Sequence, residues 1–592
     1  MDKELRPLNQ KLITIVGDSL KKKVCPIIIY EAPTGYGKTS LSGILTEKIM
    51  KNEDSLCSRL LHILPMRSLV ERIYLDFKEN KYPLPIDKNQ LGYQCMSLID
   101  ESKSPQFLKP MVITTFDSFV YNLYKLPVAE MHKEHPHYEV PRMSIYTSAT
   151  IFDEAHLYGG DPGLVAEEHY YYEPGNKMYL VLRASVKLLT RSLTPTIILT
   201  ATMPSIFIKG IQEAINYYKS SNICVKVIKP ESWGDLGEFK SVIENVNWRT
   251  ILLDDVQWLK KVKEEYNSGK RILIVRNKVL RAVSTYKKLI DEGISSVMLL
   301  HGRLTLKDRL KYVNQINRCK ILVATQIVEA GINESFDVLI TDPAPPTTLT
   351  QRAGRIKRGK YAVGEAVICI SDCEKCDLSE PCKGVYNIDI VKRTIEKIRN
   401  YCYEKDKYID WRCPLKYDHS NYVSYKDLID EIYSSADMTD MIGVNSSLYL
   451  WILDLPGIGT KTARELEEKI CGLVRDVILV PLTLGNEDLD IKELRELSLG
   501  VNLNWLRKNI DILERRDGKI KLLTEIIERE KSPYIKTFYV EPNEIFGDKC
   551  RSYIRYMRYI RRKLNINRNI LYISALAFKI KEEEYEKWLP KI

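Results

Sequence analysis

Eight consecutive residues have the types and spacing that bind phosphate: Ala32, Pro33, Thr34, Gly35, Tyr36, Gly37, Lys38 and Thr39. They follow an apolar, strand-like run at 24–30 and precede a helical pattern at 40–50. A strand, a glycine turn and Gly-Lys-Thr at a helix start are typical of a P-loop, whose backbone N–H groups surround phosphate oxygens. We therefore expect this segment to bind ATP, with Lys38 at the β- and γ-phosphates and Thr39 holding Mg²⁺.

An acidic pair supplies the second half of the same chemistry. Asp153 and Glu154 follow the apolar run 148–152, which reads as another buried strand. We expect Asp153 to make a second contact to Mg²⁺ and Glu154 to orient the attacking water. The alternative is a surface glycine turn together with a chance acidic pair. It does not explain why a strand-like run precedes each of the two motifs.

The length and composition exclude several classes of protein. The 592 residues predict about three or four domains. No apolar run approaches the roughly 18 residues of a membrane span, and residues 1–6 have no apolar signal region, so we expect a cytoplasmic protein with no membrane contact. Thirteen cysteines are too sparse for a disulfide scaffold. The net charge of +11 is compatible with a polyanionic partner without specifying one.

Strand-like and helical runs alternate through the first part of the chain. The strand candidates are 24–30, 61–64, 111–114, 148–152, 196–199 and then, after a linker-like stretch at 229–239, 271–275, 297–300, 320–325, 337–341 and 365–370. Tandem α/β units of which only the first has a P-loop are the arrangement of RecA-like helicase cores. We expect an α/β fold with two RecA-like parallel-sheet domains, at 1–228 and 229–372. A mainly helical C-terminal accessory domain follows at 373–592, with helical runs at 391–405, 492–497, 522–529 and 551–564.

The remaining motifs come in the order of a helicase. Thr200, Ala201 and Thr202 follow a strand and resemble the Ser-Ala-Thr motif that couples hydrolysis to movement. Nucleic-acid contacts are expected at four positions, where hydroxyl, ring and guanidinium groups can bind a phosphate backbone without reading sequence: Arg67, Thr115, His301 and Thr325.

A cluster of polar residues at 351–355 completes the motif set. Gln351, Arg352 and Arg355 belong to one short helical pattern, with the arginines at i and i+3 on one face. We expect both arginines to reach the γ-phosphate across the cleft as arginine fingers. A surface salt-bridge helix would fit this segment in isolation, although not the ordered motifs before it.

Over residues 1 to about 372 the chain resembles superfamily 2 helicases, and within them the CRISPR-associated helicase of type I systems. The resemblance rests on the segments 115–117, 153–156, 200–204, 300–303 with 307–309, and 325–329. The family usually has an acidic residue where this chain has Asn333. The resemblance implies a glutamine that reads adenine, here Gln10, with an ordinary polar helix start as the alternative. It also implies a motor that is recruited by a guide-RNA surveillance complex and moves 3′ to 5′ along single-stranded DNA.

Many members of that family carry a fused HD nuclease, which requires a His-Asp dipeptide and further metal ligands. This chain has eight histidines, and none is followed by Asp. We therefore expect a separate HD nuclease subunit as partner. The cluster His132, His135 and His137 lacks the HD pattern, so we interpret it as a loop rather than a metal site.

Three features outside the core have two readings each. Cys373, Cys376 and Cys382 resemble part of a zinc site completed by Cys402, Cys413 or His419, and free thiols are the favoured alternative. Residues 455–463 look like a helix-hairpin-helix or a strand entering a glycine turn. Residues 551–562 are a basic, aromatic helix for DNA or a partner, or an amphipathic helix with a solvated face.

Two other functions share much of this pattern. A repair or recombination helicase of the same superfamily would have the same core chemistry and would not depend on a guide complex. An ATP-driven switch or scaffold would bind nucleic acid or protein without unwinding. Intact Glu154, Thr200, Thr202, Arg352 and Arg355 argue against an inactive switch.

Overall fold

The computed structural model describes most of the chain. The described residues are 5–51, 56–95, 102–130, 133, 135–158, 177–254, 257–331, 334–359, 362–372, 379–415, 421–434, 460–469, 472–474, 479–528, 534–546 and 570–589. Among these residues, no helix combines the length and apolar character needed to cross a membrane.

The first α/β domain is built on a seven-stranded parallel sheet. Its strands are β1 (Cys25–Glu31), β2 (Arg59–Leu64), β3 (Leu91–Gln94), β4 (Met111–Thr115), β5 (Ser148–Phe152), β6 (Thr196–Thr200) and β7 (Ile223–Ile228). The helices are α1 (Pro7–Lys21), α2 (Leu41–Met50), α3 (Arg67–Lys78), α4 (Phe116–Leu123), α5 (Glu139–Tyr146), α6 (Lys177–Arg191) and α7 (Ser205–Asn216). The strand order is β3-β4-β2-β5-β6-β1-β7.

This strand order explains why the nucleotide motifs meet. β6 lies between β1 and β5, and all three run parallel, so their carboxyl ends share one edge of the sheet. The P-loop follows β1, the acidic pair follows β5, and Thr200 ends β6. In an open parallel sheet, ligands bind outside the carboxyl ends of the strands.

The second α/β domain contains a six-stranded parallel sheet in the order β10-β11-β9-β12-β13-β8. The strands are β8 (Val246–Leu253), β9 (Ile272–Val275), β10 (Val297–Leu300), β11 (Ile321–Ala324), β12 (Val338–Thr341) and β13 (Gly364–Ser371). The helices are α8 (Trp233–Leu236), α9 (Phe239–Glu244), α10 (Gln257–Asn267), α11 (Val279–Asp291), α12 (Leu306–Val313), α13 (Ile327–Gly331) and α14 (Pro346–Ala353). The expectation of two tandem parallel-sheet domains is confirmed, with β3, β7 and β8 as strands that the sequence pattern did not predict.

A helical segment follows the second domain and packs back onto both. It comprises α15 (Ser379–Cys382), α16 (Ile388–Arg399), β14 (Tyr408–Asp410), β15 (Tyr422–Ser424) and α17 (Tyr425–Tyr433). Leu428 and Ile429 of α17 are fully buried in a core that also contains Phe207 of α7 and Leu349 of α14. Burial of each such side chain stabilises the fold by about 1.5–3 kcal/mol, which fixes α17 between the two domains.

The C-terminal region contains helices, as expected, and also a six-stranded mixed sheet that the sequence analysis did not predict. Its elements are α18 (Thr460–Lys469), β16 (Leu479–Thr483), α19 (Ile491–Glu496), β17 (Ser498–Asn502), α20 (Leu503–Lys508), β18 (Arg515–Arg516), β19 (Lys519–Glu528), β20 (Tyr534–Val540), α21 (Pro542–Phe546), β21 (Ile570–Lys579) and α22 (Glu582–Glu586).

The helix expected at 522–529 is wrong. This segment belongs to β19, which pairs antiparallel with both β20 and β21. The apolar residues of this segment fit the spacing of a helix at Leu522, Leu523, Ile526 and Ile527. Every second residue also fits the alternation of a strand, at Ile520, Leu522, Thr524 and Ile526. A short apolar run of this kind fits both periods, and pairing on two sides decides for the strand.

Candidate nucleotide site and nucleic-acid face

The P-loop has the backbone that its sequence predicts. Gly35 and Gly37 have φ values of 84° and 90°, which only glycine adopts without strain. Lys38 Nζ donates to the Ala32 and Pro33 carbonyls at 2.9 and 3.2 Å, so the ammonium lies inside the loop. Burial lowers the pKa of Lys38, opposed by the charges of Glu154, Asp153 and Glu31. The loop thus holds a buried cation where phosphate oxygens can replace its own carbonyls.

Thr39 and Asp153 lie together across the strand edge. Thr39 Oγ1 donates to Asp153 Oδ2 at 3.2 Å, although the two residues are 114 positions apart. A hydroxyl and a carboxylate beside a phosphate pocket are the hard oxygen ligands that Mg²⁺ prefers. The residues present therefore fit this ion, which would bind phosphate oxygens and offset their charge.

A buried histidine supports the same carboxylate. His62 of β2 is fully buried, with Nε2 3.2 Å from Asp153 Oδ2 and Nδ1 2.7 Å from Ser42 Oγ. Burial raises the pKa of Asp153, but hydrogen bonding and charge from His62, together with the Lys38 charge, hold it below its ordinary value. Sequence reasoning missed His62 and Ser42. The available signal was a histidine inside an otherwise apolar strand.

Glu154 faces the arginines that follow α14. Its backbone is left-handed, with φ 51°, which turns the chain sharply after Asp153. Burial and then the neighbouring Asp153 raise the pKa of Glu154, while the charges of Lys38, Arg355 and Arg358 lower it. Burial also lowers the pKa of Arg355 to about 9, with Arg358 and Arg72 as repelling neighbours. The second domain thus presents Arg355 and also Arg358, which sequence reasoning missed, towards the acidic pair.

Arg352 lies elsewhere. It is fully buried within the second domain, where Nε donates to Glu329 Oε1 at 2.9 Å. Its other nitrogens donate to Thr341 Oγ1 at 2.7 Å, Asn277 Oδ1 at 2.9 Å and the Tyr386 hydroxyl at 3.0 Å. Arg355 Nη2 donates to the carbonyl of the same Glu329, and the charge of Arg355 also acts on Glu154. Arg352 instead joins α13, α14 and the segment after β13.

The loop formed by Thr200, Ala201, Thr202 and Met203 is here called the coupling loop. Thr200 O accepts from the P-loop residue Ala32 at 3.0 Å, and Thr200 Oγ1 accepts from Met203 N at 3.2 Å. Gln351 Nε2 of the second domain donates to Thr202 Oγ1 at 3.2 Å. The coupling loop consequently contacts the phosphate motif on one side and α14 on the other.

The two domains approach closely at the P-loop. A Cβ added at Gly354 would lie 3.0 Å from Thr34 Cγ2, so the contact requires a glycine or a small shift. A cleft of about 130 Å³ lies beside Thr34 and Gly35 and is also lined by Arg6, Phe239, Arg358 and Trp411, among others. A volume of about 130 Å³ is large enough for a group bigger than a water molecule, next to the P-loop.

Gln10 lies on α1 and is exposed. Its neighbour Arg6 contacts the P-loop directly, because Nη1 donates to Gly35 O at 2.8 Å. The Arg6 guanidinium also lies 5.1 and 5.0 Å from the ring centroids of Tyr36 and Phe239. Arg6 was missed by sequence reasoning. Its contact to Gly35 places the start of α1 beside the P-loop. Among the residues that the structure describes, Gln10 itself makes no hydrogen bond to the P-loop, and its role in binding adenine stays a prediction.

The first domain supplies two of the residues expected to contact nucleic acid. Thr115 caps α4 by accepting from Ser118 N at 3.3 Å. Arg67 Nε donates to Glu71 Oε1 at 2.8 Å. Arg309 of the second domain reaches Glu71 Oε2 at 3.4 Å, so this part of the face is joined across the domains.

The second domain's residues on this face are covered. Thr325 is 4% exposed. His301 is fully buried, and its Nε2 donates to Trp588 O at 2.8 Å. Tyr585 of α22 accepts from Thr305 N at 2.8 Å and donates to Asp308 Oδ2 at 2.6 Å. The end of the chain therefore lies over the segment that follows β10.

The cysteine and histidine predictions fall largely outside the described residues. The residues outside are Cys373, Cys376, His419, His132 and 551–562. The hairpin candidate is described only from Thr460, where α18 begins, and its residues 455–459 are outside. Cys382 is buried and its thiol donates to Pro343 O at 3.5 Å. Cys413 donates to Leu415 O at 3.8 Å.

Comparisons with known proteins identify the same two parts of the core. A family model for DEAD/DEAH box helicases matches residues 20–209, and a model described as CRISPR-associated nuclease/helicase Cas3, C-terminal, matches residues 268–361. The chain is 25% identical over 357 residues to the putative CRISPR-associated nuclease/helicase Cas3 of Methanocaldococcus jannaschii. The matched region covers 57% of this chain and 41% of the relative. It is 23% identical over 401 residues to the CRISPR-associated endonuclease/helicase Cas3 of Escherichia coli, spanning 59% and 38%. The chain thus spans less than half the length of these curated relatives.

Solved structures agree in fold. T. fusca Cas3 superposes with a TM-score of 0.58 at 15% identity, covering 85% of this chain and 64% of that chain. A structure described as a CRISPR RNA-guided surveillance complex, pre-nicking, superposes with a TM-score of 0.51 at 16% identity, covering 84% and 63%. The resemblance read from the sequence is therefore confirmed: residues 20–209 match the model for DEAD/DEAH box helicases, residues 268–361 match the model for the C-terminal part of Cas3, and the two parallel-sheet domains share the fold of the T. fusca Cas3 structure.

Proposed function

We propose that this protein is an ATP hydrolase and helicase that is stimulated by single-stranded DNA and unwinds target DNA 3′ to 5′ in type I CRISPR interference. One observation carries the catalytic part. Lys38, Thr39 and Asp153 lie together at the carboxyl edge of the first sheet, and the coupling loop beside them bonds to Gln351 of the second domain. Hydrolysis and domain movement thus share one set of contacts.

The chemistry follows from the positions of the residues. Lys38 binds the β- and γ-phosphates in place of the Ala32 and Pro33 carbonyls, and Glu154 orients water for attack. Thr39 and Asp153 would hold Mg²⁺, which would offset the charge of the phosphates. Arg355 and Arg358 stabilise, as arginine fingers from the second domain, the charge that spreads onto the γ-phosphoryl group. Arg352 holds α14 in place through Glu329 and Tyr386.

Binding to single-stranded DNA fits the two-domain face. Arg67 and Arg309 meet at Glu71, where backbone phosphate can replace the carboxylate as their partner. Contacts of this kind bind with little sequence preference. A strand held by both domains would be moved as the cleft opens and closes.

The proposed partners are a guide-RNA surveillance complex and a separate HD nuclease. The relatives are named nuclease/helicase, and one structural neighbour is described within a surveillance complex. In the part of the chain that the structure describes, no group of three or more His, Cys, Asp or Glu residues is placed to hold a metal ion. The proposal of a separate nuclease rests on the sequence, in which none of the eight histidines is followed by Asp.

The test is ATP turnover with and without single-stranded DNA, together with unwinding of duplexes bearing a 3′ or a 5′ single-stranded tail. Stimulated turnover and unwinding of the 3′-tailed duplex alone support the proposal. Turnover that ignores DNA, with no unwinding, contradicts it and favours an ATP-driven switch. Unwinding that is equally efficient at any duplex, whether or not a guide complex opened it, favours a repair helicase. DNA degradation by the purified chain with Mn²⁺, Ni²⁺ or Co²⁺ would contradict the separate nuclease.

A further inference from the structure

The helix α17 contacts the coupling loop at two carbonyls. The Tyr425 hydroxyl donates to Ala201 O at 3.2 Å, and Lys426 Nζ donates to Met203 O at 2.7 Å. Two residues further on, Ser205 begins α7, and both its backbone N and its hydroxyl donate to Asp430, at 2.8 and 2.7 Å. One helix from the late part of the chain therefore fixes the turn between β6 and α7.

Lys426 also reaches the base of the P-loop. Its Nζ lies 3.0 Å from Glu31 Oε1 and 3.5 Å from Asp430 Oδ1. Glu31 ends β1 directly before Ala32 and is 4% exposed. Burial raises the pKa of Glu31, and the Lys426 charge opposes that rise. A single ammonium thus connects the strand that carries the P-loop with the loop that contacts the second domain.

The segment around α17 is tied to the second domain at its other end. Arg412 donates to the Ile356 and Lys357 carbonyls at 2.7 and 3.0 Å, immediately after Arg355. Trp411 Nε1 donates to Thr250 Oγ1 of β8 at 3.0 Å. Arg412 therefore contacts the residues that follow Arg355, and Tyr425 and Lys426 of α17 contact the coupling loop.

We propose that Lys426 is a positioning residue that couples DNA binding to ATP hydrolysis, by holding the coupling loop against the strand that ends at Glu31. This proposal rests on the proposed function. A shift of the second domain would act on Trp411 and Arg412. The β14–β15 pair, in which Asp410 lies opposite Ser424 at the start of α17, would pass that displacement to the Ala201 and Met203 carbonyls. Lys426 touches neither phosphate nor the attacking water, so it acts on the stimulation of turnover and not on the basal reaction.

The test uses a variant in which both charges of the buried Lys426–Glu31 pair are removed, so that neither is left without its partner. The double variant Glu31→Gln/Lys426→Met removes both charges, whereas Lys426→Met alone would leave Glu31 buried without its cation and destabilise the fold. The matched control is Lys397→Met, which removes the exposed Lys397–Glu431 pair on the outer side of the same helix, at 2.9 Å. Turnover is measured with and without single-stranded DNA in the full chain, alongside the melting temperature and the duplex unwound per ATP.

The reference is Glu31→Gln alone, because the Glu31 charge acts on Lys38, and in this single variant Lys426 keeps Asp430 and Met203 O as partners. Relative to that variant, we expect the double variant to keep basal turnover and to lose about tenfold of the DNA-stimulated increment. The control should keep both. If the double variant keeps the stimulation by DNA that the Glu31→Gln variant shows, the role of Lys426 is contradicted and the proposed function is not. The same holds if basal and stimulated turnover fall in proportion. Wild-type turnover that ignores DNA overturns the proposed function and this proposal with it.

Discussion

Gln351 Nε2 donates to Thr202 Oγ1 at 3.2 Å, and this bond joins the second RecA-like domain to the loop beside the P-loop of the first. Both side chains are buried, so solvent does not compete for the bond. The distance shows that the coupling loop and α14 are in direct contact. Two polar groups that meet in this way should behave as one functional unit.

The first prediction concerns this bond. Gln351→Ala and Thr202→Val should each reduce DNA-stimulated turnover, and the two changes together should cost little more than either alone. The reason is that each single change already removes the same hydrogen bond. A double-mutant cycle on stimulated turnover should give an interaction energy of about 0.5–3 kcal/mol. Strict additivity would show that the bond is not used in the reaction.

The second prediction concerns the P-loop cation. Lys38→Ala should abolish ATP hydrolysis, because no other ammonium lies within the loop among the residues that the structure describes. ATP turnover by the purified chain is the measurement. Lys51→Ala is the matched control, since Lys51 pairs with Glu47 in an exposed i,i+4 pair of small energetic value. Normal turnover in the Lys38 variant would remove this residue from the site.

The third prediction separates the arginines by role. Arg355→Ala and Arg358→Ala should each lower kcat by about 10³-fold or more, as expected of fingers that stabilise transition-state charge. Arg358→Ala should do so with little change in melting temperature, because Arg358 is only partly buried. Arg352→Ala should instead lower the melting temperature by several degrees, because it leaves buried partners such as Glu329 and Asn277 unsatisfied. Turnover and thermal unfolding measured on the same samples distinguish the two outcomes. A folded, inactive Arg352 variant of normal melting temperature would restore it as a finger.

The fourth prediction is a pH dependence at His301. Its Nε2 faces Trp588 O and its Nδ1 accepts from Arg303 N at 3.2 Å, so the neutral ring with Nε2 protonated fits both bonds. Burial lowers the pKa of His301 to about 4. Since this lies below the ordinary value of about 6.5, the unfolded chain takes up the proton first as the pH falls.

The free energy of unfolding should therefore be fully retained above about pH 6.5 and fall by up to about 1.4 kcal/mol per pH unit between about 6.5 and 4. His156, whose pKa burial lowers to about 3, contributes in the same direction. Denaturant unfolding of wild type and His301→Gln at several pH values isolates the share of His301. Identical pH profiles for the two proteins would contradict the assignment.

The nucleotide half of the site was accessible from the sequence because its residues are local. The P-loop and the acidic pair each follow an apolar run, and parallel strands bring their ends to one edge. His62 was not accessible, because a histidine within a buried strand gives no sign of its partner 91 residues away. Arg358 lies three residues beyond Arg355, and only the fold shows that both act on Glu154.

The C-terminal region was less accessible for a physical reason. The strand β19 carries apolar residues at both helical and alternating spacing, and its long-range pairing with β20 and β21 decides between them. Similarly, α17 was not singled out by the sequence, although its Lys426 and Tyr425 contact residues more than 200 positions earlier. Contacts of such separation leave no pattern in a single sequence.

The position of α17 has a consequence for how the chain matures. Synthesis proceeds from the amino terminus, so the first RecA-like domain leaves the ribosome long before its partners. The Ser205–Asp430 bonds close over a separation of 225 residues. Until then Glu31 lies behind the P-loop without the ammonium that neutralises it, and the turn before α7 lacks its cap. A nascent or truncated first domain therefore lacks these contacts, and Glu31 and Ser205 gain these partners only when residue 430 has been made.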